Sequence, residues 1–372
     1  MKSLKKHRIH LFSLAIIMVV ALVVGACGGG GNTPGPAPAP APAPAQTTPG
    51  GDAPATEDLG PAVSLRLGHC FPTTDYRAMT SQKFADLCEE YSDGNITMTL
   101  YPANTLTTSQ DALKLTAQGV ADIAMGALSF NVGEVPALAP LDLQGIYDPD
   151  HFWETYDVIK PTLDKILTTQ NQICLIMFDE TDSIFYITDR VGKNIQTPDD
   201  IKGLRLRDHG VWIGNSMANW GASPQTVMPA DIAVALERGT VDGGYTGWGF
   251  VRSYNCYEVA SFISFSKLSK SCFQPLNINL DVWNSLSQGQ REIMLRSAAE
   301  AQEYGKELVI EFQEGFMADL ERVGASIYYL TKEENQAFVD LSMNLIDECR
   351  EISGELGNEL IDAFLSAPSN YR

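Results

Sequence analysis

The sequence predicts an α/β protein of two similar lobes. Three observations carry this expectation. From Val63 onward, strand-like and helix-like segments alternate, the signature of parallel strands joined by helical crossovers. A short pattern also occurs twice. Ala112-Leu113 with Gln118-Gly119-Val120-Ala121-Asp122 resembles Ala235-Leu236 with Arg238-Gly239-Thr240-Val241-Asp242. In each, a short amphipathic helix ends on glycine and an aspartate follows three residues later at the start of a strand. Finally, 372 residues with 44% apolar and 19% charged side chains suffice for two sizeable cores.

The N-terminus reads as an export signal. Lys5, Lys6 and Arg8 precede an apolar run, Leu11 to Ala26, that is short for a membrane span. The run ends in Val24-Gly25-Ala26-Cys27, a lipobox in which Cys27 would be lipidated and become the mature N-terminus. Residues 1–26 are thus expected to be a lipoprotein signal peptide. Residues 27–60 read as a Pro/Ala-rich tether, extended at about 3 Å per residue. The protein is then expected outside the cytoplasm, in the periplasm or on the outer face of the cytoplasmic membrane.

The folded part is expected over 61–372, with lobes at roughly 61–180 and 181–280 and C-terminal helices over 287–366. VSLRLGH alternates and reads as a first strand, opening into the loop Gly68 to Pro72. Asp75 to Tyr91 keeps a helical period until Asp93-Gly94 stops it. ITMTLY is a second strand, Ser109 to Gln118 a short helix, and VADIAMGALSF an apolar strand. Val158 to Leu167 reads as a helix, with strands at 172–178 and 183–188. Thr197-Pro198 starts another helix. The stretch 202–248 reads as strand, helix, strand, helix, strand, with Arg207 closing the first strand and the aromatic run Tyr245 to Trp248 at its end. Strands follow near 259–264 and 275–280. Ser287-x-x-Gln290 and Thr331-x-x-Glu334 are capping boxes that begin long helices over 287–323 and 331–366.

Charge and motif content narrow the function. The net charge of −20 argues against nucleic-acid binding, which needs a basic footprint. It leaves room for an acidic ligand, since a buried arginine acts at short range in low dielectric. GxSxG, HExxH and P-loop patterns are absent, and His69, His151 and His209 are scattered, so catalysis is not expected. No cofactor is implied. The six cysteines after Cys27 fit no zinc spacing; Cys70 with Cys88 and Cys256 with Cys272 are disulfide candidates by proximity in sequence.

Six segments, in order, resemble the solute-binding proteins of tripartite ATP-independent periplasmic (TRAP) transporters, of the DctP dicarboxylate-binding type. They are LRLGH; KFADLCEEYSDGNITMTLYPANTL; the run from Thr197-Pro198-Asp199-Asp200 through Lys202-Gly203-Leu204 to Arg207; GASP at 221–224; ALERGTVDGG at 235–244; and VWNSLSQGQREIM at 282–294. The resemblance implies a two-lobed periplasmic-binding-protein fold with a long lobe-spanning C-terminal helix. It implies capture of an organic acid by cleft closure and delivery to membrane permease subunits. An extracytoplasmic enzyme on a similar fold and a ligand sensor are the alternatives.

The same resemblance assigns Arg207 as the carboxylate clamp, and a planar guanidinium fixed at a strand end suits that role. Arg205 is read as structural. Two departures shape the rest. Where relatives carry a second arginine, this chain has Phe185 and Tyr186. Where relatives that hold a cation carry an acid, it has Tyr245-Thr246, so no metal is expected. Phe71, Phe185, Tyr186, Trp212, Tyr245 and Trp248 are candidates for an aromatic pocket, with Thr246, Asp75 and Ser129 as further lining residues. Together they point to a monocarboxylate with an apolar or aromatic body.

Overall fold

The computed structural model describes residues 59–270 and 272–369. The expected signal peptide, Cys27 and nearly all of the tether lie outside the described residues. No helix among the described residues is long and apolar enough to cross a membrane.

Eleven strands form two sheets among these residues. They are β1 (Val63–Gly68), β2 (Ile96–Tyr101), β3 (Ile123–Met125), β4 (Gln172–Met177), β5 (Asp182–Ile187), β6 (Arg205–Asp208), β7 (Ser223–Thr226), β8 (Gly243–Gly247), β9 (Phe262–Lys270), β10 (Pro275–Asn279) and β11 (Ser326–Tyr329). The first lobe is ordered β2-β1-β3-β10-β4 and the second β11-β9-β5-β8-β6-β7. The helices are α1 (Tyr76–Tyr91), α2 (Ala112–Ala117), α3 (Phe152–Thr169), α4 (Val211–Asn219), α5 (Ile232–Arg238), α6 (Trp248–Ser253), α7 (Leu280–Ser285), α8 (Gln288–Val323), α9 (Lys332–Asp340), α10 (Asn344–Ile352) and α11 (Gly354–Ser366).

The five elements expected over 202–248 are all present, as β6, α4, β7, α5 and β8. The chain exchanges one strand between lobes in each direction. β5 follows β4 yet joins the second sheet; β10 follows β9 yet joins the first, antiparallel to β3 and β4. A second lobe running unbroken to 280 therefore does not describe the molecule: residues 275–279 return to the first sheet. Hydrophobic pattern alone cannot tell which sheet such an apolar strand will join, because both interiors accept it.

Helix α8 spans both lobes. Met294, Ala298 and Ala301 pack in the first lobe's core, and Phe316 and Leu320 in the second's. Both capping boxes form as the sequence indicates, at Ser287/Gln290 and Thr331/Glu334. The second expected helix is instead three, α9 to α11; Gly354, in left-handed backbone at φ 67°, marks the break before α11. Neither expected disulfide forms, because Cys70, Cys88 and Cys256 are free thiols.

Candidate functional site

Three neighbouring strands build the second-lobe wall. Arg207 on β6 pairs with Gly244 on β8, and Gly244 pairs with Tyr186 on β5. Residues paired across strands share a sheet face, so Arg207 and Tyr186 flank a residue with no side chain. A Cβ at Gly244 would collide with the Tyr186 hydroxyl; glycine is required for the phenol to lie there. Burial pushes that phenol well up, with the charge of Arg207 acting against it.

Arg207 is only 1% exposed. Its Nε donates to the Val227 carbonyl at 3.1 Å, and its guanidinium carbon sits 4.5 Å from the Phe250 ring centre. Its Nη1 is buried and has no hydrogen-bond partner. A buried guanidinium with open donors is costly, roughly 1–3 kcal/mol or more, until an anion fills them.

The cleft in front of it is nearly shut, with a cavity volume of about 30 Å³. Arg207, Thr246, Phe250 and Tyr254 line it from the second lobe; Cys70, Phe71, Arg77, Ser109 and Phe130 line it from the first; Gln274 lies on a connection between them. Burial pushes the Cys70 thiol up to about 12, so it is an inert wall group. A larger hollow, about 440 Å³, opens beside Met79, Lys83 and Leu100, and shares no lining residue with the Arg207 cleft. The smaller one holds the open guanidinium.

A second buried arginine, Arg77, faces the same cleft, 2% exposed. Its Nε and Nη2 hold Asp75 at 2.9 and 2.8 Å, and its Nη1 holds Glu180 at 3.0 Å and Gln274 at 3.3 Å. Its carbon lies 3.5 Å from the Phe71 ring centre. Most of its donors are therefore spent. Burial pushes the Glu180 carboxyl up to about 7, while the adjoining guanidinium pulls it back toward ionisation.

The ten residues expected at the cleft separate into distinct groups. Arg207, Thr246 and Phe71 line it, and Tyr186 stands beside Arg207. Ser129 is buried with an unpartnered Oγ, and its Cβ packs against Gly210. Asp75 turns away: it caps α1 and pairs with Arg77. Phe185 and Tyr245 face the opposite side of the sheet, their rings 4.6 Å apart in a core with Trp220 and Phe338. Trp248 stacks on Phe316 of α8 at 5.7 Å. Trp212 packs among Leu128, Leu138 and Phe273. These last four are core residues: Phe185 and Tyr245 because alternation along a strand sends the neighbours of Tyr186 and Gly244 to the opposite face, and Trp248 and Trp212 because their helices α6 and α4 turn them into the cores beside Phe316 and Leu128.

Sequence reasoning missed Arg77, Phe130, Phe250, Tyr254 and Gln274. Phe250 and Tyr254 sit four apart across α6 and its end, and that helical spacing could have been read past Trp248. Nothing in Asp75-Tyr-Arg77 signals a buried guanidinium. Asp142 was missed too. It accepts from the Ile213 amide at 3.1 Å at the start of α4 and lies 3.8 Å from His209 Nε2. Burial pushes its carboxyl up to about 7, with Asp208 adding to the rise. The repeated aspartates hold arginines: Asp122 takes Arg66 at 2.9 Å and Asp242 takes Arg205 at 2.6 Å. Among the described residues, no group of three or more His, Cys, Asp or Glu is placed to hold a metal ion.

Residues 67–351 match the family model described as bacterial extracellular solute-binding protein, family 7 (DctP). The 2,3-diketo-L-gulonate-binding periplasmic protein of Escherichia coli K12 is 26% identical over 313 residues, 82% of this chain and 88% of that one. Among solved structures, a TRAP periplasmic solute-binding protein from Roseobacter denitrificans with bound β-D-glucuronate superposes with a TM-score of 0.76 at 22% identity, covering 82% of this chain and all of that one. Another from Rhodoferax ferrireducens, with bound malonate, gives 0.72 at 20% identity, covering 81% and 99%.

Proposed function

The chain belongs to the family 7 bacterial extracellular solute-binding proteins, and we propose that it captures an organic acid on Arg207 by closing its lobes and hands it to TRAP permease subunits. The observation that carries this reading is the buried, unpartnered Nη1 of Arg207 at the cleft. A carboxylate is the group that fits such donors: it supplies charge and geometry for parallel N–H···O bonds. That relatives hold glucuronate, galacturonate and malonate supports the substrate class.

The ligand is a monocarboxylate with a flat apolar or aromatic body. Arg77 lines the cleft, but Asp75 and Glu180 already neutralise it, so Arg207 is the cation left to bind an acid. Phe71, Phe130, Phe250 and Tyr254 supply apolar walls for the body. Tyr186 and Thr246 would orient the carboxylate. We also propose that Cys27 carries a lipid that anchors the protein to the membrane.

A thermal-shift screen over uronates, malonate, aromatic monocarboxylates and neutral sugars tests the substrate class. Carboxylates should raise the melting temperature, aromatic monocarboxylates most. A rise with neutral sugars alone would end the proposal. For the best acid, Arg207→Ala should abolish the shift; full retention would remove Arg207 from the site. For the anchor, Cys27→Ser should abolish incorporation of a labelled fatty acid in cells.

A further inference from the structure

Two connections join the lobes at this side of the cleft: the segment 178–181 between β4 and β5, and the segment ending at Gln274 between β9 and β10. Their chain directions are opposite, and they are distant in sequence. Both nevertheless end on one nitrogen. Arg77 Nη1 donates to Glu180 Oε2 at 3.0 Å and to Gln274 Oε1 at 3.3 Å. The other side of the guanidinium holds Asp75, the cap of α1 in the first lobe. Asp75 in turn accepts from Ser253 Oγ at 2.5 Å, on α6 of the second lobe. Beside this knot, Thr181 Oγ1 accepts from the Gly249 amide at 3.0 Å.

We propose that Arg77 is the positioning residue that sets the angle between the lobes: one buried guanidinium ties both connections to the floor of the cleft. Lobe motion needs the two connections to turn. A turn in either must lengthen its bond to Arg77, and both bonds are charge-assisted or buried, so neither has water as a ready substitute. The Phe71 ring beneath the guanidinium is itself cleft wall. Pressure from a bound molecule on that ring is thus felt where the connections turn. The assignment does not depend on which acid is bound.

Amide hydrogen exchange on the ligand-free full chain tests it, with small-angle scattering as a second readout. Arg77→Lys keeps the charge and loses the fork; Glu180→Gln is isosteric and keeps the fold if the first variant does not. Both should speed exchange about tenfold at 178–181 and around Gln274, while α4 and α11 stay unchanged, and both should enlarge the radius of gyration. Faster exchange confined to the start of α1, or raised uniformly, with an unchanged radius would overturn the proposal. That outcome would mark Arg77 as a structural residue, and it is independent of whether Arg207 binds acids.

Discussion

The two lobes use one frame and fill it differently. β1 beside β3 has the same register as β6 beside β8: Leu67 pairs with Ile123 and Gly68 with Ala124, as Leu206 pairs with Gly243 and Arg207 with Gly244. In both, an arginine two residues earlier, Arg66 or Arg205, donates its backbone amide and its side chain to the aspartate opening the neighbouring strand. Glycines with φ near 70°, Gly119 and Gly239, end the preceding helices. The next strand over is antiparallel in each, placing Asn277 against Ala124 and Tyr186 against Gly244. Arg207, the proposed clamp, therefore occupies the place of Gly68. One substitution on a shared frame converts a closed strand end, packed by Thr107, into a charged cleft wall.

The helices after these strands differ in the same spirit. α1 carries its own cap, Asp75, whose charge is matched by Arg77. α4 has Gly210 at its cap position and receives Asp142 from the segment 136–142, which packs with α3 and α11. A Cβ at Gly210 would fall on that carboxylate. Asp75 has a full cation beside it, whereas Asp142 has only His209, and Asp208 opposes it.

Breaking the asymmetry at its centre should have the largest effect. Arg207→Ala should weaken the best acid by about 100-fold in titration calorimetry, since a charge-assisted pair in a buried site is lost. The unliganded protein should be no less stable, because an uncompensated buried charge goes with it.

The borrowed cap should show in pH dependence. Asp142 titrates at about 7 in the fold against an ordinary 3.8. Its neutral form is the favoured one, so its contribution is full below about pH 4 and is lost as pH rises through 7. Asp142→Asn should remove that loss. The fall in melting temperature between pH 5 and pH 8 should be several degrees smaller in the variant.

Glycine positions sharpen the comparison further. Gly244→Ala should cost about 2 kcal/mol in urea unfolding, because the new methyl meets the fixed Tyr186 hydroxyl. Gly68→Ala should cost about half that, because Thr107 can rotate away. Smallest of all, Asp122→Asn and Asp242→Asn should each lower the melting temperature by roughly 2 °C and by similar amounts. Unequal losses would show that the two brackets are not equivalent.

Much of this frame was legible in the chain. The helix-glycine-aspartate repeat marked two like units, and the structure adds the arginine each aspartate holds. The run to Arg207 marked the strand that carries it, β6. The aromatic candidates were less legible. Phe185 and Tyr245 carry the residue types of a pocket, but those types serve cores equally well, and only the strand face decides between them.

The sequence by itself determined local order: the strand and helix succession, both capping boxes, the repeated turn, and an arginine at a strand end. These depend on periodicity and on residues a few places apart, which a single chain displays directly. Tertiary structure decided what depends on partners far along the chain. It sent β10 back to the first sheet, set Arg77 against Glu180 and Gln274, and brought Asp142 to the start of α4. The physical reason is common to all three: a buried charge or an unpaired strand takes its identity from what meets it, and those partners lie 71 to 197 residues away for the bonds that matter most.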